Sequence, residues 1–440
     1  MNPHSLNYTE IKTRKELTNN TKNNLFVYDH SIHDWYRFVL SYPPQLVRKY
    51  LTDFKVNISQ KVLDPFCGTG TTNVECKLNN VTSVGVEQNP FPFFASKVKT
   101  NWQINDTKFL ENSKVVARKA FAEIGNWGIN DDEYTEFYSS ELLTLPFPSE
   151  KLLINNSLSP LPKHKSIILF RCIQEYGEDE FKEHQKLAFS KALVFKSSNL
   201  SFGPEVGVGK VKKDVSVVAN WMCEIQKMAV DIHQHSMNNV QTNIYQLDSR
   251  DLSQDLESNS IDCVITSPPY PNEKDYTRTT RLESVFLGFI NNKEDLRSIK
   301  NGLVRSNTRG IYKTDDDYLE IEDIDEIMEL SERIENRRIQ LGKTSGFEKM
   351  YHRVTKNYFG GMARHLKDMR NILKPGAQLA YVVGDQASYF RILIKTGDLL
   401  GIIAKKYGYE IMGVDLFRTR LSTATRDQLR EEVLLLRWPG

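Results

Sequence analysis

The 440-residue chain is poor in cysteine, and the five it has are scattered. Cys67, Cys76, Cys172, Cys223 and Cys263 are odd in number and show no C-x-x-C spacing. This argues against a disulfide framework and a cysteine-built zinc site, and for a reducing compartment. Histidines pair at His30/His33 and His233/His235, but no cysteine or carboxylate cluster completes a ligand set, so no metal is expected. No apolar run reaches membrane-spanning length, and the first residues lack the basic-then-apolar form of a signal peptide. A cytoplasmic location without membrane attachment is the expectation. Internal repeats and low-complexity tracts are absent. Neither sign of charge dominates: 58 basic against 56 acidic residues leave a net +2, so any nucleic-acid face has to be local.

What is present is an ordinary globular composition, long enough for one large core or two to three domains. Residues 1–24, rich in Asn, Thr and Lys, read as a loose arm. An aromatic run follows, His30-Ser-Ile-His33-Asp-Trp35-Tyr36-Arg37-Phe38, which is either core or a flap over a ligand. Tyr42-Pro43-Pro44 then opens a helix that extends to about Phe54.

Two stretches carry chemistry. In the first, Lys61-Val62-Leu63-Asp64-Pro65-Phe66-Cys67-Gly68-Thr69-Gly70-Thr71-Thr72, a strand ends at Asp64, a glycine-bearing loop follows, and a helix begins near Thr71. Gly68 and Gly70 permit close approach of a ligand, and the helix N-terminus favours an anionic group. About a dozen residues on, 82–87 reads as a second strand ending in Glu87, where doubly wound folds grip a ribose diol. The unit fits a nucleoside cofactor better than a plain tight turn. It is too short for a dinucleotide fingerprint and has no Walker lysine.

The second stretch is Ile261-Asp262-Cys263-Val264-Ile265-Thr266-Ser267-Pro268-Pro269-Tyr270. An apolar strand stops at two prolines, neither able to donate to a ladder. The result is a stiff polar tip at the carboxyl end of a strand, where open α/β sheets bind ligands. The Ser267 hydroxyl and the Pro268 carbonyl can accept hydrogen bonds from both N–H groups of an exocyclic base amine, freeing its lone pair. Tyr270 can stack on a base taken out of the helix. Alone, the stretch reads equally well as an ordinary turn after a core strand.

Between about 91 and 235 no comparable strand sequence occurs. Segments 94–109, 113–124, 163–177, 180–196 and 215–235 read as helices, and 197–213 as a polar glycine-rich loop ending Gly209-Lys210-Val211-Lys212-Lys213. That loop either tracks a phosphate backbone or is simply solvated. Strand sequence resumes at 240–247. Asp248 after it either bonds the amino group of an adenine ring or caps a turn. In a second insertion, 291–350, the basic residues Arg297, Lys300, Arg305, Arg309 and Lys313 fit DNA contact, whereas the acidic 315–326 and the charged helix 329–338 do not. A helix at 354–373 is expected to stop at Lys374-Pro375-Gly376. A buried strand at 379–384, a helix at 396–407 and strands at 410–416 and 433–438 suggest an antiparallel hairpin closing an otherwise parallel sheet.

Asp64-Pro-Phe-Cys-Gly-Thr-Gly70 together with Ser267-Pro-Pro-Tyr270 resembles the amino-methylating DNA methyltransferases that use S-adenosyl-L-methionine. The resemblance covers 25–100 and 236–440. It implies an α/β, Rossmann-like seven-stranded methyltransferase sheet, mostly parallel with an antiparallel C-terminal hairpin, carrying a helical insertion. It divides the chain into a flexible arm (1–24), core (25–104), helical insertion (105–235), core (236–290), second insertion (291–350) and core (351–440). Tyr42-Pro43 matches the flanking cofactor motif, and Asp64, Pro65, Phe66, Cys67, Gly68, Thr69, Gly70 and Thr71 the cofactor loop. Glu87 and Asp248 match the ribose- and adenine-binding acids. Ser267, Pro268, Pro269 and Tyr270 match the catalytic tip.

Serine at the first tip position mostly accompanies N4-cytosine methylation in this family, where adenine-N6 enzymes usually carry Asp or Asn. Carbon-5 methylation would need a cysteine nucleophile, usually after proline, and no Pro-Cys occurs. The implied protein is a bacterial or archaeal, nucleoid-associated enzyme acting on double-stranded DNA, paired functionally with a restriction endonuclease encoded nearby. Lys210, Lys212, Lys213, Arg278, Arg305 and Arg309 are the candidate DNA contacts. The glycine loop precedes the tip, unlike the permuted order common among Ser-Pro-Pro-Tyr enzymes, so either insertion is a candidate reader of sequence. Rival readings are an N6-adenine DNA enzyme, an RNA guanine-N2 enzyme and a methyltransferase-like binding subunit without catalysis.

Overall fold

The computed structural model describes residues 25–440 other than 39, 134–140, 204 and 422–427. The arm expected at 1–24 lies outside them. The strands are β1 (Lys61–Asp64), β2 (Thr82–Val86), β3 (Leu200–Phe202), β4 (Val206–Val208), β5 (Thr242–Tyr245), β6 (Ile261–Thr266), β7 (Leu373–Gly384), β8 (Glu410–Leu421) and β9 (Gln428–Arg437). The helices are α1 (Pro44–Asp53), α2 (Thr71–Leu78), α3 (Pro90–Lys99), α4 (Asp106–Asn126), α5 (Phe147–Glu150), α6 (Pro160–Tyr176), α7 (Asp179–Lys191), α8 (Val217–His235), α9 (Tyr276–Thr279), α10 (Arg281–Phe286), α11 (Lys293–Asn301), α12 (Asp325–Gln340), α13 (Tyr351–Met369) and α14 (Thr396–Lys406).

Seven strands form one sheet in the order β5-β2-β1-β6-β7-β9-β8. The pairs from β5 to β7 are parallel, and β9 runs antiparallel between β7 and β8. This is the mostly parallel sheet with a closing antiparallel hairpin that the sequence implied. Its inner strands β1, β2, β6 and β7 bury both faces, as parallel strands covered by helices must, whereas the edge strands β5 and β8 stay largely accessible. Alternate residues therefore serve different cores. Val62, Cys263, Ile265, Ala380 and Val382 pack with α1 residues Leu46, Val47, Tyr50 and Leu51. Leu63, Val264, Leu379, Tyr381 and Val383 pack instead with Val354, Tyr358, Met362 and Leu366 of α13 and Leu400 and Ile403 of α14.

The described residues between 105 and 235 are mainly helical. Phe109, Val116, Leu169, Leu187, Trp221 and Ile225, from α4, α6, α7 and α8, form a core that runs on without a break into Phe91, Phe94 and Val98 of α3 and into Ile32, Trp35 and Tyr36. These helices thus share one core with the segment before α1.

Three local expectations are corrected. Residues 94–109 are not one helix: α3 ends at Lys99, and Asn105 caps a new helix by accepting from the Lys108 amide at 2.8 Å. The loop at 197–213 contains the β3–β4 hairpin. Lys374-Pro375-Gly376 ends no helix. The helix stops at Met369, and the Lys-Pro-Gly turn, with Gly376 at φ +87°, is looped out inside β7, where the register slips from Ile261–Leu373 to Cys263–Gln378.

The second insertion is pressed onto α13 at Gly360. A Cβ there would lie 2.0 Å from the Asp317 carbonyl oxygen, whereas one at Gly125, exposed on α4, would meet nothing within 4 Å. Gly360→Ala is therefore expected to destabilise by about 1–3 kcal/mol or more through overpacking. Gly125→Ala should stabilise by about 0.5–1 kcal/mol through helix propensity. Denaturant unfolding of the two variants checks the pair.

Candidate active site

The carboxyl end of β1 is organised by Asp64, which is fully buried. One oxygen accepts from the Thr266 hydroxyl at 2.6 Å and the Phe66 amide at 3.1 Å, and the other from the Tyr42 hydroxyl at 3.1 Å. Tyr42 also touches the Thr72 hydroxyl, and Thr72 donates to the Ile265 carbonyl at 3.1 Å. Burial pushes the Asp64 carboxyl up to about 6, against the pull of these hydrogen bonds. One side chain thus ties together the start of the glycine loop, the approach to α1 and the residue that precedes Ser267.

The loop itself needs its glycines. Gly68 has φ +51° and Gly70 φ +81°, and a Cβ at Gly70 would lie 3.0 Å from the Ser96 Cβ of α3. Gly70 then caps the N-terminus of α2. Glu87, at the end of β2, turns back toward this loop. Its carboxylate accepts from the Gly68 amide at 3.0 Å and the Asn89 amide at 2.8 Å, and burial pushes it up to about 7.

Glu87 and the loop line one end of a cleft of about 340 Å³, a size usual for small-molecule sites. Phe66, Pro92 and Leu247 supply apolar wall there. The other end is the tip: Ser267, Pro268, Pro269 and Tyr270 all line the cleft. The Ser267 hydroxyl donates to the Val382 carbonyl of β7 at 3.1 Å. With its proton so committed, its lone pairs remain free to accept. The Tyr270 hydroxyl lies 3.4 Å from both Ser267 Oγ and the Val382 carbonyl, and burial pushes it up from its ordinary value.

Among the residues expected at a cofactor, Tyr42, Pro65, Phe66, Cys67, Gly68, Thr71 and Glu87 line the cleft. Pro43, Asp64, Thr69, Gly70 and Asp248 do not. Pro43 caps α1, and Asp64 acts from beneath. Asp248 is gripped by the Arg250 guanidinium, Nη2 to Oδ2 at 2.6 Å, while its neighbours Leu247 and Ser249 reach the cleft. The aromatic run divides: Trp35 and Tyr36 are core, and Phe38 lines the cleft with its ring 6.3 Å from that of Tyr276.

The basic residues also divide. Lys210 and Lys213 are exposed. Lys212 is half-buried, its ammonium donating to the Lys196 carbonyl at 2.8 Å. Arg309 is exposed and lies over the Phe347 ring. Arg278 shares a small groove with Arg309 and the β3–β4 hairpin, beside Lys274 at the rim of the cleft. Arg305 is corrected: it is buried, paired with Asp315 at 2.9 Å and donating to the Lys300 carbonyl, so its charge is spent inside the second insertion.

Sequence reading missed the stitching of that insertion to the loop after the tip. The Asn272 and Glu273 amides donate to the Ser306 carbonyl at 3.2 Å each, and the Thr308 hydroxyl donates to Glu273 at 2.7 Å. Buried Lys300 reaches Asp275 at 2.7 Å. Residues 302–307 thereby become a wall of the cleft, and Phe417, Arg418 and Glu431 of the C-terminal hairpin form another. No local motif marks either wall; only the basic run 297–313 hinted at the first.

Residues 2–94, which include the glycine loop and Glu87, match the family model of the N6 and N4 methyltransferases described as DNA methylase. Along most of its length the chain is similar to two type II methyltransferases. It is 23% identical to M.BsoBI of Geobacillus stearothermophilus over 96% of this chain and 86% of that protein, and 24% identical to M.AvaI of Nostoc sp. over 92% and 86%. M.MjaII of Methanocaldococcus jannaschii is 25% identical over 34% of this chain and 30% of its own. The matched model and the similar proteins are all DNA methylating enzymes, and the mostly parallel seven-stranded sheet with its closing hairpin is that of a Rossmann-like methyltransferase.

Proposed function

We propose that the protein transfers a methyl group from S-adenosyl-L-methionine to the N4 amino group of a cytosine flipped out of duplex DNA. The observation that carries this reading is the Ser267 hydroxyl, a neutral acceptor whose own proton is held by the Val382 carbonyl at the end of the cleft. A role as the modification enzyme of a restriction–modification pair draws support from the type II methyltransferases to which the chain is similar.

The residues at the other end fit the methyl donor. Glu87 faces the cleft with a carboxylate already oriented by two amides, suited to a ribose diol. Phe66, Pro92 and Leu247 suit a purine ring, and the open space at Gly68 suits close approach to the backbone. When bound, the donor supplies a sulfonium-activated methyl group. The chain supplies alignment. Ser267 Oγ and the Pro268 carbonyl accept the two N4 hydrogens and turn the nitrogen lone pair toward the donor. Tyr270, its ring against Gly384, packs on the base. Serine cannot act as a base here, so the N4 proton leaves to solvent. Lys210, Lys213, Arg278 and Arg309 are the proposed DNA contacts.

Nucleoside mass spectrometry of duplex DNA incubated with enzyme and donor is expected to show N4-methylcytosine; N6-methyladenine in its place refutes the base assignment. Ser267→Ala should slow methyl transfer by about a hundredfold or more, as loss of an oriented hydrogen-bonding group does, with donor affinity retained. Equal loss of both would remove Ser267 from catalysis.

Glu87 generates a pH prediction. Its carboxyl is raised to about 7, and binding a diol requires the carboxylate. Donor affinity should therefore fall as pH drops through about 7, with a proton released on binding near that pH. Glu87→Gln should weaken binding by about tenfold to a hundredfold and abolish the proton release. Calorimetry in two buffers of different ionisation enthalpy measures both.

A further inference from the structure

Consecutive side chains in a regular strand point to opposite faces. Phe417 and Arg418 are consecutive in β8, yet both line the cleft. A bulge explains this: Leu416 pairs with Glu432 and Arg418 with Glu431, leaving Phe417 as the extra residue. Bulges beside active sites commonly re-aim a side chain.

Arg418 is hydrogen-bonded along one edge only, and its guanidinium also lies 5.9 Å from the centre of the Phe417 ring. Its Nε donates to Glu431 Oε2 at 2.5 Å. Glu431 is braced from the far side by Arg420 at 3.3 Å, and Arg420 donates in turn to the Asp385 carbonyl and to Gln386. The terminal nitrogens of Arg418 make no hydrogen bond among the described residues. Across the sheet, Gly384 of β7 pairs with Glu431, and Glu431 with Arg418. A Cβ at Gly384 would lie 3.3 Å from both Glu431 and the Tyr270 ring. Tyr270, Glu431 and Arg418 therefore stand in a row on one face. The Cα atoms of Gly384 and Arg418 are two strand spacings, roughly 10 Å, apart.

We propose that Arg418 reads the target base, its two free N–H edges donating to N3 and O2 of the cytosine whose amino group Ser267 and Pro268 hold. The proposal rests on the N4-cytosine reading and gives it a second determinant. Along one edge cytosine presents its amino group and then two adjacent acceptors, which a planar guanidinium fork matches. Adenine presents its amino group, one acceptor and a C–H, so one buried donor would go unpaired. Glu431 is the positioning residue that fixes the fork.

The test is single-turnover methylation at saturating duplex DNA by wild type, Arg418→Met and Arg418→Lys, with products identified by nucleoside mass spectrometry and donor affinity by calorimetry. Arg418→Met is expected to lower the N4-methylcytosine rate between roughly tenfold and a hundredfold, the worth of one bidentate base contact. Arg418→Lys should recover little of it, because the fork is lost, and donor affinity should be unchanged in both. A wild-type rate for Arg418→Met at saturating DNA, with only weaker DNA affinity and a shallower salt dependence, would make Arg418 a phosphate contact and overturn the proposal. If Arg418→Met loses donor binding through misfolding, Arg418→Lys decides, and full activity in it overturns the proposal. Wild-type enzyme that forms only N6-methyladenine, or no methylated base, refutes the underlying reading and the proposal with it.

Discussion

The cleft depends on one buried carboxylate. Asp64 accepts from Tyr42, Phe66 and Thr266, which lie on three separate pieces of chain. Burying an acid without partners would be costly, and three donors offset that cost while fixing three directions. The glycine loop and the Ser-Pro-Pro-Tyr tip are remote in sequence, but β1 and β6 are neighbours in the sheet. Asp64 converts that neighbourhood into a fixed relation between the two ends of the cleft.

A second set of buried polar contacts fixes the far side of the tip. The Ser306 carbonyl, Thr308 and Lys300 hold residues 272–275, and Glu273 sits at φ +68°, a conformation that few non-glycine residues adopt. That backbone is held by the second insertion. The basic residues of 291–350 therefore serve different ends: Lys300 is paired outward with Asp275, Arg305 is paired within the segment with Asp315, and Arg309 alone of the three is exposed.

The sheet and both ends of the cleft were legible because their signals are local. A strand, two glycines and an acid, or a strand and two prolines, each act through neighbours in sequence. Serine at 267 and glutamate at 87 were placed by the same logic, and both line the cleft. Asp248 shows its limit. An acid after a strand reads as a ligand or as a turn cap, and here the Asp248 carboxylate accepts from both the amide and the guanidinium of Arg250, two residues on. The burial of Arg305 was illegible for another reason, since its partner Asp315 lies in an acidic stretch that the sequence set apart from the basic run. The walls built by 302–307 and by the C-terminal hairpin depend on long-range packing and on a bulge, neither of which leaves a periodic trace.

The insertion of β9 between β7 and β8 bears on how the protein is born. The ribosome delivers the glycine loop and the tip first, and the strands from β5 to β7 can pair before β8 and β9 exist. Until β9 arrives, β7 presents an open edge, the kind of template on which nascent chains stick to one another. Val382, whose carbonyl accepts the hydrogen bond of the Ser267 hydroxyl, pairs with Val433 of β9. Arg418 and Glu431 come into place only with that pairing. A partly synthesised chain thus has the glycine loop and the tip before it has a finished wall, and the open edge of β7 leaves it prone to edge-to-edge association until β9 docks.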